Sequence, residues 1–200
     1  MTTAGTDVSG KDRSQTILDA TLAVFAEAGY HKARIEDIAE RAGVAKGTIY
    51  LYFPSKKELF YALIEEIGLR HLTAMKEALN RTGTLKDRLV TIARESLKLA
   101  KVRQNFRGLN VNEVLVCDPI FKKKVIIFRE KAIRTIASAL AESAGNDRLS
   151  RDYYRDAAVA FIGLLHAFDP ELTDGSEQEP DMEHLPQRIV SLFLEGFKGV

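Results

Sequence analysis

The chain has 200 residues, 46% of them apolar and 28% charged, which suffices to bury a core in one or two modest domains. Its 29 basic and 28 acidic side chains leave a net charge of +1, so bulk attraction for a polyanion is excluded and any nucleic-acid role must rest on a local patch. The single cysteine, Cys117, excludes an internal disulfide and a cysteine-built zinc site.

Residues 1–12 are polar and small, lack an apolar signal core, and are expected to form a disordered arm. The longest near-apolar run, Ala157 to Leu165, has nine residues, far short of the roughly 18 to 20 that cross a bilayer. A soluble, cytoplasmic chain without a membrane partner is expected. No period-2 segment reads convincingly as a strand, and no repeat of solenoid length occurs. The expected fold is all-α.

The first helix is expected over Arg13 to Ala28, because Leu18, Leu22 and Phe25 recur at helical spacing and Gly29 can close it. Next comes Ile35 to Tyr52, IEDIAERAGVAKGTIYLY. Two short crossing helices need a small residue at their contact, which Ala39 provides. Four residues on, Gly43 permits a sharp left-handed turn. Ile38, Ala42, Val44 and Ile49 are placed to pin both helices to a support. The second helix, Ala45 to Tyr52, presents Lys46, Gly47, Thr48 and Tyr50 near the end that reaches base edges in helix-turn-helix proteins. Residues 43–57 carry Lys46, Lys56 and Lys57 and no acid. Thr48, Tyr50 and Tyr52 can donate to phosphates. Taken singly, these Lys and Tyr residues also fit the solvated face of a helical bundle. Their combination with Ala39, Gly43 and the stop at Phe53-Pro54 is what points to DNA.

Pro54 ends that helix, and Ser55 with Glu58 forms a capping box opening a helix from Lys56 to about Asn80. Thr84 caps a helix from Leu85, Asp118-Pro119 opens another that Gly145-Asn146 closes, and Ser150 caps the next. Residues 169–184 hold Asp169, Glu171, Asp174, Glu177, Glu179, Asp181 and Glu183 with no base, and are expected to be a solvated loop. A last amphipathic helix fits Leu185 to Phe197.

The stretch Gln15 to Leu63, and AGVAKGTIYLYFPSKKELF most specifically, resembles the TetR family of transcriptional regulators. The resemblance implies a three-helix DNA-binding domain over 13–54, a larger helical effector-binding and dimerisation domain over 55–200, and a homodimer on palindromic operator DNA. It implies a repressor released by a small-molecule effector, with no cofactor. It places Lys46, Gly47 and Tyr50 against bases and Thr48, Tyr52 and Lys56 against phosphates. Arg34 stands where a Thr often caps the second helix and is assigned a phosphate instead. Ala45 stands where a Ser often caps the third, which leaves that helix without a side-chain cap at a cost of ~1 kcal/mol.

Beyond Leu63 the resemblance is architectural. Phe106, Asn110 and Phe128 are candidate ligand contacts, although apolar helix residues of this kind fit a core equally well. Residues 118–134 carry Lys122, Lys123, Lys124, Arg129, Lys131 and Arg134 against Asp118 and Glu130. That surplus suits either an acidic effector, such as an acyl-CoA or a carboxylate, or a solvated helix face. Tyr153, Phe161, Leu164, Leu165 and Phe168, with Ile189 and Phe193, give two apolar faces that fit a core and a four-helix dimer interface alike. An enzyme is not expected: no H-E-x-x-H, G-x-S-x-G, P-loop or dinucleotide fingerprint occurs. A helical adaptor without DNA binding would require erosion of the Lys46 to Lys57 face, which is intact.

Overall fold

The structure is a computed structural model that describes residues 6–104, 118–145, 149–168 and 183–196. Every regular element among them is an α-helix: α1 Thr6–Lys32, α2 Ile35–Ala42, α3 Lys46–Tyr52, α4 Lys56–Leu79, α5 Leu85–Gln104, α6 Pro119–Ser143, α7 Arg151–Ala167 and α8 Leu185–Glu195. None is long and apolar enough to cross a membrane.

α1 begins at Thr6, seven residues before the expected Arg13, so residues 6–12 of the expected arm are helical and residues 1–5 lie outside the described residues. No proline interrupts this stretch. Gly29, at φ 74° and ψ 159°, breaks the helix where a side chain would be strained.

The chain divides into two compact units, with boundaries inside α4, between Gly68 and Leu69, and inside α6, between Lys123 and Lys124. The first unit therefore reaches beyond residues 13–54. The reason is apolar burial. The first turns of α4 put Leu59, Phe60, Tyr61 and Leu63 into the same core as Ile17 and Phe25 of α1, Ile38 of α2 and Ile49 of α3. Each fully buried Ile, Leu or Phe contributes ~1.5 to 3 kcal/mol. Phe60 lies 5.3 Å from the Tyr30 ring, and Phe121 stacks on Tyr61 at 4.5 Å.

The second unit is built on α5, which packs against α7 and α8. Leu89, Ile92 and Ala93 of α5 meet Ile136 of α6, Ala158 and Phe161 of α7, and Ile189 and Val190 of α8 in one buried cluster. Thr84 and Asp87 form a reciprocal cap at the start of α5: the Thr84 hydroxyl accepts from the Asp87 amide at 3.2 Å, and the Thr84 amide donates to Asp87 Oδ2 at 3.0 Å. Ser150 caps α7 through the Tyr153 amide at 3.2 Å.

Phe161, Leu165 and Ile189, expected on a dimer face, are buried in this protomer's own core. Helical period turns them inward, toward α5. Leu164, Phe168 and Phe193 lie partly buried against the cluster, and Tyr153 is exposed. Ala160 and Gly163, on the outer side of α7, are exposed too. The candidate ligand contacts Phe106 and Asn110 lie outside the described residues, while Phe128 is half-buried against the second unit's core.

Candidate nucleic-acid interface

The turn between α2 and α3 follows from Gly43, at φ 65° and ψ 33°. Its amide donates to Glu40 O at 3.1 Å, and the Val44 amide donates to Ala39 O at 3.0 Å. This pair of bonds closes α2 in the Schellman pattern. Ala39 is buried at the crossing, as its size requires. α3 then runs from Ala45, which offers no side-chain cap, to Phe53, whose extended backbone precedes Pro54. Ser55 Oγ accepts from the Glu58 amide at 3.1 Å and starts α4.

Ile49 is fully buried, and that one contact fixes the rotation of α3. At about 100° per residue, Gly47 and Leu51 then point almost directly away from the core. Lys46 and Tyr50 form a flanking row on one side, Thr48 and Tyr52 on the other. Tyr50 is 42% exposed, Leu51 84% and Tyr52 37%. A Cβ built on Gly47 meets no protein atom within 4 Å, so nothing inside the chain requires glycine there. The outer surface of α3 thus combines hydrogen-bonding flanks with a smooth central row.

The electrostatics of this face depend on an acid that charge counting along residues 43–57 misses. Glu36, in the first turn of α2, places Oε1 2.6 Å from Lys46 Nζ and Oε2 3.7 Å from Arg34 Nε. The hydrogen bond holds the Lys46 pKa above its ordinary value and the Glu36 pKa below its own. Lys46 also lies 5.9 Å from the centre of the Tyr50 ring. Arg34 is exposed at the N-cap of α2 and makes no side-chain cap bond.

Lys56, assigned a phosphate by resemblance, stands at the start of α4. Its ammonium donates to Ala33 O at 2.6 Å and His31 O at 3.3 Å, and stands 4.7 Å from the centre of the Tyr30 ring. It ties the start of α4 to the chain that follows α1, and burial pushes its pKa down. The exposed neighbour Lys57 pairs with Asp118 Oδ2 at 2.9 Å. Asp118 Oδ2 also accepts from the Tyr61 hydroxyl at 2.8 Å, while its Oδ1 accepts from the Ile120 and Phe121 amides at 3.0 Å. Those Phe121, Lys57 and Tyr61 bonds, in that order, hold its carboxyl well below the usual carboxylate range. Arg41 grips Glu27 with two bonds of 2.6 and 2.9 Å, which fastens α2 to α1.

Sequence reasoning brought together Lys46, Gly47, Thr48, Tyr50 and Tyr52, and all five lie on α3. It missed Leu51 and Glu36. An apolar residue two positions from the buried Ile49 was a visible signal for Leu51. Nothing local signalled Glu36.

Residues 17–63 match the sequence model of the bacterial regulatory proteins of the tetR family. The chain is 25% identical to the fatty acid metabolism regulator protein of Bacillus subtilis over 182 residues, which cover 90% of this chain and 93% of that one. Over 54 residues it is 48% identical to the HTH-type transcriptional repressor KstR of Rhodococcus jostii, covering 27% of this chain and 26% of that one. Among solved structures, the regulator FadR from Bacillus subtilis in complex with stearoyl-CoA aligns with a TM-score of 0.66 at 24% identity, covering 92% of this chain and 98% of that one. The fatty acid degradation regulator FadR from Bacillus halodurans aligns with a TM-score of 0.64 at 21% identity, over 92% and 99%.

Proposed function

We propose that this chain, a DNA-binding transcriptional regulator of the TetR family, works as a homodimeric repressor that an acyl-CoA releases from a palindromic operator. The carrying observation is the outer surface of α3, where one buried residue, Ile49, turns Lys46, Gly47, Thr48, Tyr50 and Tyr52 outward together. A helix so presented fits the major groove, with the flanks bonding to base edges and phosphates. Two copies related by a two-fold axis place two such helices about 34 to 36 Å apart, one turn of the duplex.

The dimer is supported by α7, which leaves Tyr153 and the small Ala160 and Gly163 exposed, and by α8, which leaves Leu192 and Leu194 exposed. An acyl-CoA is supported by the whole-length likeness to a relative solved with stearoyl-CoA. Within the second unit α6 carries exposed Arg129, Lys131 and Arg134, cations that suit the phosphates of a CoA. α4 and α6 each run unbroken across the boundary between the units, a covalent route for coupling.

Stearoyl-CoA titrated by calorimetry into the chain, with and without an operator duplex selected by the chain itself, tests this reading. Binding should weaken with operator present, and stearoyl-CoA should weaken operator binding by the same factor, commonly ~5- to 150-fold. Equal binding to the free and DNA-bound chain overturns the effector mechanism.

A further inference from the structure

Leu51 is the most exposed large apolar side chain among the described residues, at 84%. It is held there by a specific geometry. Ile49, two positions earlier, is fully buried, which turns Leu51 outward, one turn beyond Gly47. The two flanking rows of α3 end in hydrogen-bonding groups: Lys46 and Tyr50 on one side, Thr48 and Tyr52 on the other. The central row offers none, since Gly47 has no side chain and Leu51 no polar atom. Nothing within 4 Å of a Gly47 Cβ obstructs this row, so a surface can approach the helix backbone closely.

A partner that meets hydrogen-bonding groups at both edges and an apolar one in the middle must show the same pattern. The floor of the major groove does so wherever it holds a thymine. Its single apolar feature is the thymine C5 methyl, set among donors and acceptors. We propose that Leu51 selects sequence by packing against a thymine C5 methyl in each half-site. This assignment rests on the DNA-binding reading of α3 above. Leu51 therefore contributes to base choice without contributing to charge neutralisation.

The test uses a duplex selected by the intact chain from a randomised library. Each thymine is replaced in turn by deoxyuridine, which removes only the methyl. At one thymine in each half-site the native chain should lose about three- to fivefold in affinity, the worth of one apolar carbon returned to water. Leu51→Ala should fold normally, lose a similar factor on the unmodified duplex, and show no further loss at that position. The salt dependence should be the same for both chains, because no phosphate contact changes. If no deoxyuridine position separates the two chains, or if the half-sites contain no such thymine, the assignment is overturned while the DNA-binding reading stands. If the chain selects no duplex at all, both fall.

Discussion

Lys46 Nζ lies 2.6 Å from Glu36 Oε1, so the base at the head of α3 is already paired with an acid of α2. Glu36 also faces Arg34. Two cations assigned to DNA thus share one carboxylate, which a polyanion must displace. Glu36→Gln leaves both uncompensated. Affinity for random duplex should rise about threefold at low salt, and the preference for the selected duplex over random DNA should shrink. Anisotropy titrations over a salt series measure both. Unchanged affinity for random DNA would show that the pair exerts no restraint.

Lys56 is bonded to two backbone carbonyls, and its removal should therefore act on folding. Lys56→Met keeps the apolar stem and loses the bonds to Ala33 and His31. Urea denaturation should show a loss of ~1.5 to 3 kcal/mol, the range for bonds involving a charged group. The salt dependence of DNA binding should change little. An unaltered midpoint with a shallower salt dependence would return Lys56 to the phosphate backbone.

At Gly47 stability and binding should separate. Gly47→Ala meets no clash within the chain and favours the helix by ~0.5 to 1 kcal/mol. The melting temperature of the free chain should rise. DNA affinity should fall, because the new methyl stands where the groove floor approaches. A variant that is more stable and binds DNA as tightly as before contradicts close approach at this position.

Asp118 sets an acid limb on stability. Its carboxyl is depressed by the Phe121 amide first, then by Lys57 and Tyr61, from an ordinary value of 3.8. The stability it adds is full above that value and fades as pH falls through and below it. Asp118→Asn should lower the urea midpoint at neutral pH, and the gap between the native and variant curves should narrow as pH falls below 3.8 and close only in strong acid. A gap that stays constant as pH falls would mean that the charge on Asp118 contributes nothing.

The proposed dimer depends on side chains that the protomer leaves outside. Leu192→Glu, at a 40% exposed position on α8, should keep the helical spectrum and convert the chain to a monomer in sedimentation. Operator affinity should fall steeply while binding to a single half-site survives. A dimer of unchanged strength relocates the interface.

Local signals in the sequence were legible because each is settled within a few residues. The Ser55 cap, the Gly43 turn and the stop at Phe53 all depend on backbone geometry and neighbours one turn away. The absence of a side-chain cap at Ala45 was equally visible. What escaped notice depends on partners distant in the chain. Glu36 meets Lys46 ten residues on, and Asp118 meets Tyr61 across 57. Lys56 is assigned a phosphate because its charge is written in the sequence; the carbonyls that hold its ammonium in the free chain are not. On α7, helical spacing marked one broad apolar face. Only packing divides it into an inward half at Phe161 and Leu165 and an outward edge at Tyr153 and Gly163.

α3 is seven residues long, contains a glycine and has no side-chain cap at Ala45. A helix of that length has no stability of its own in water. It persists because Ile49 and Phe53 are anchored in the core of the first unit. Its amides therefore exchange hydrogen with solvent faster than those in the middle of α1 or α4 when the chain is free. A duplex that grips α3 should protect them, and that protection would report the ordering that docking imposes on the helix.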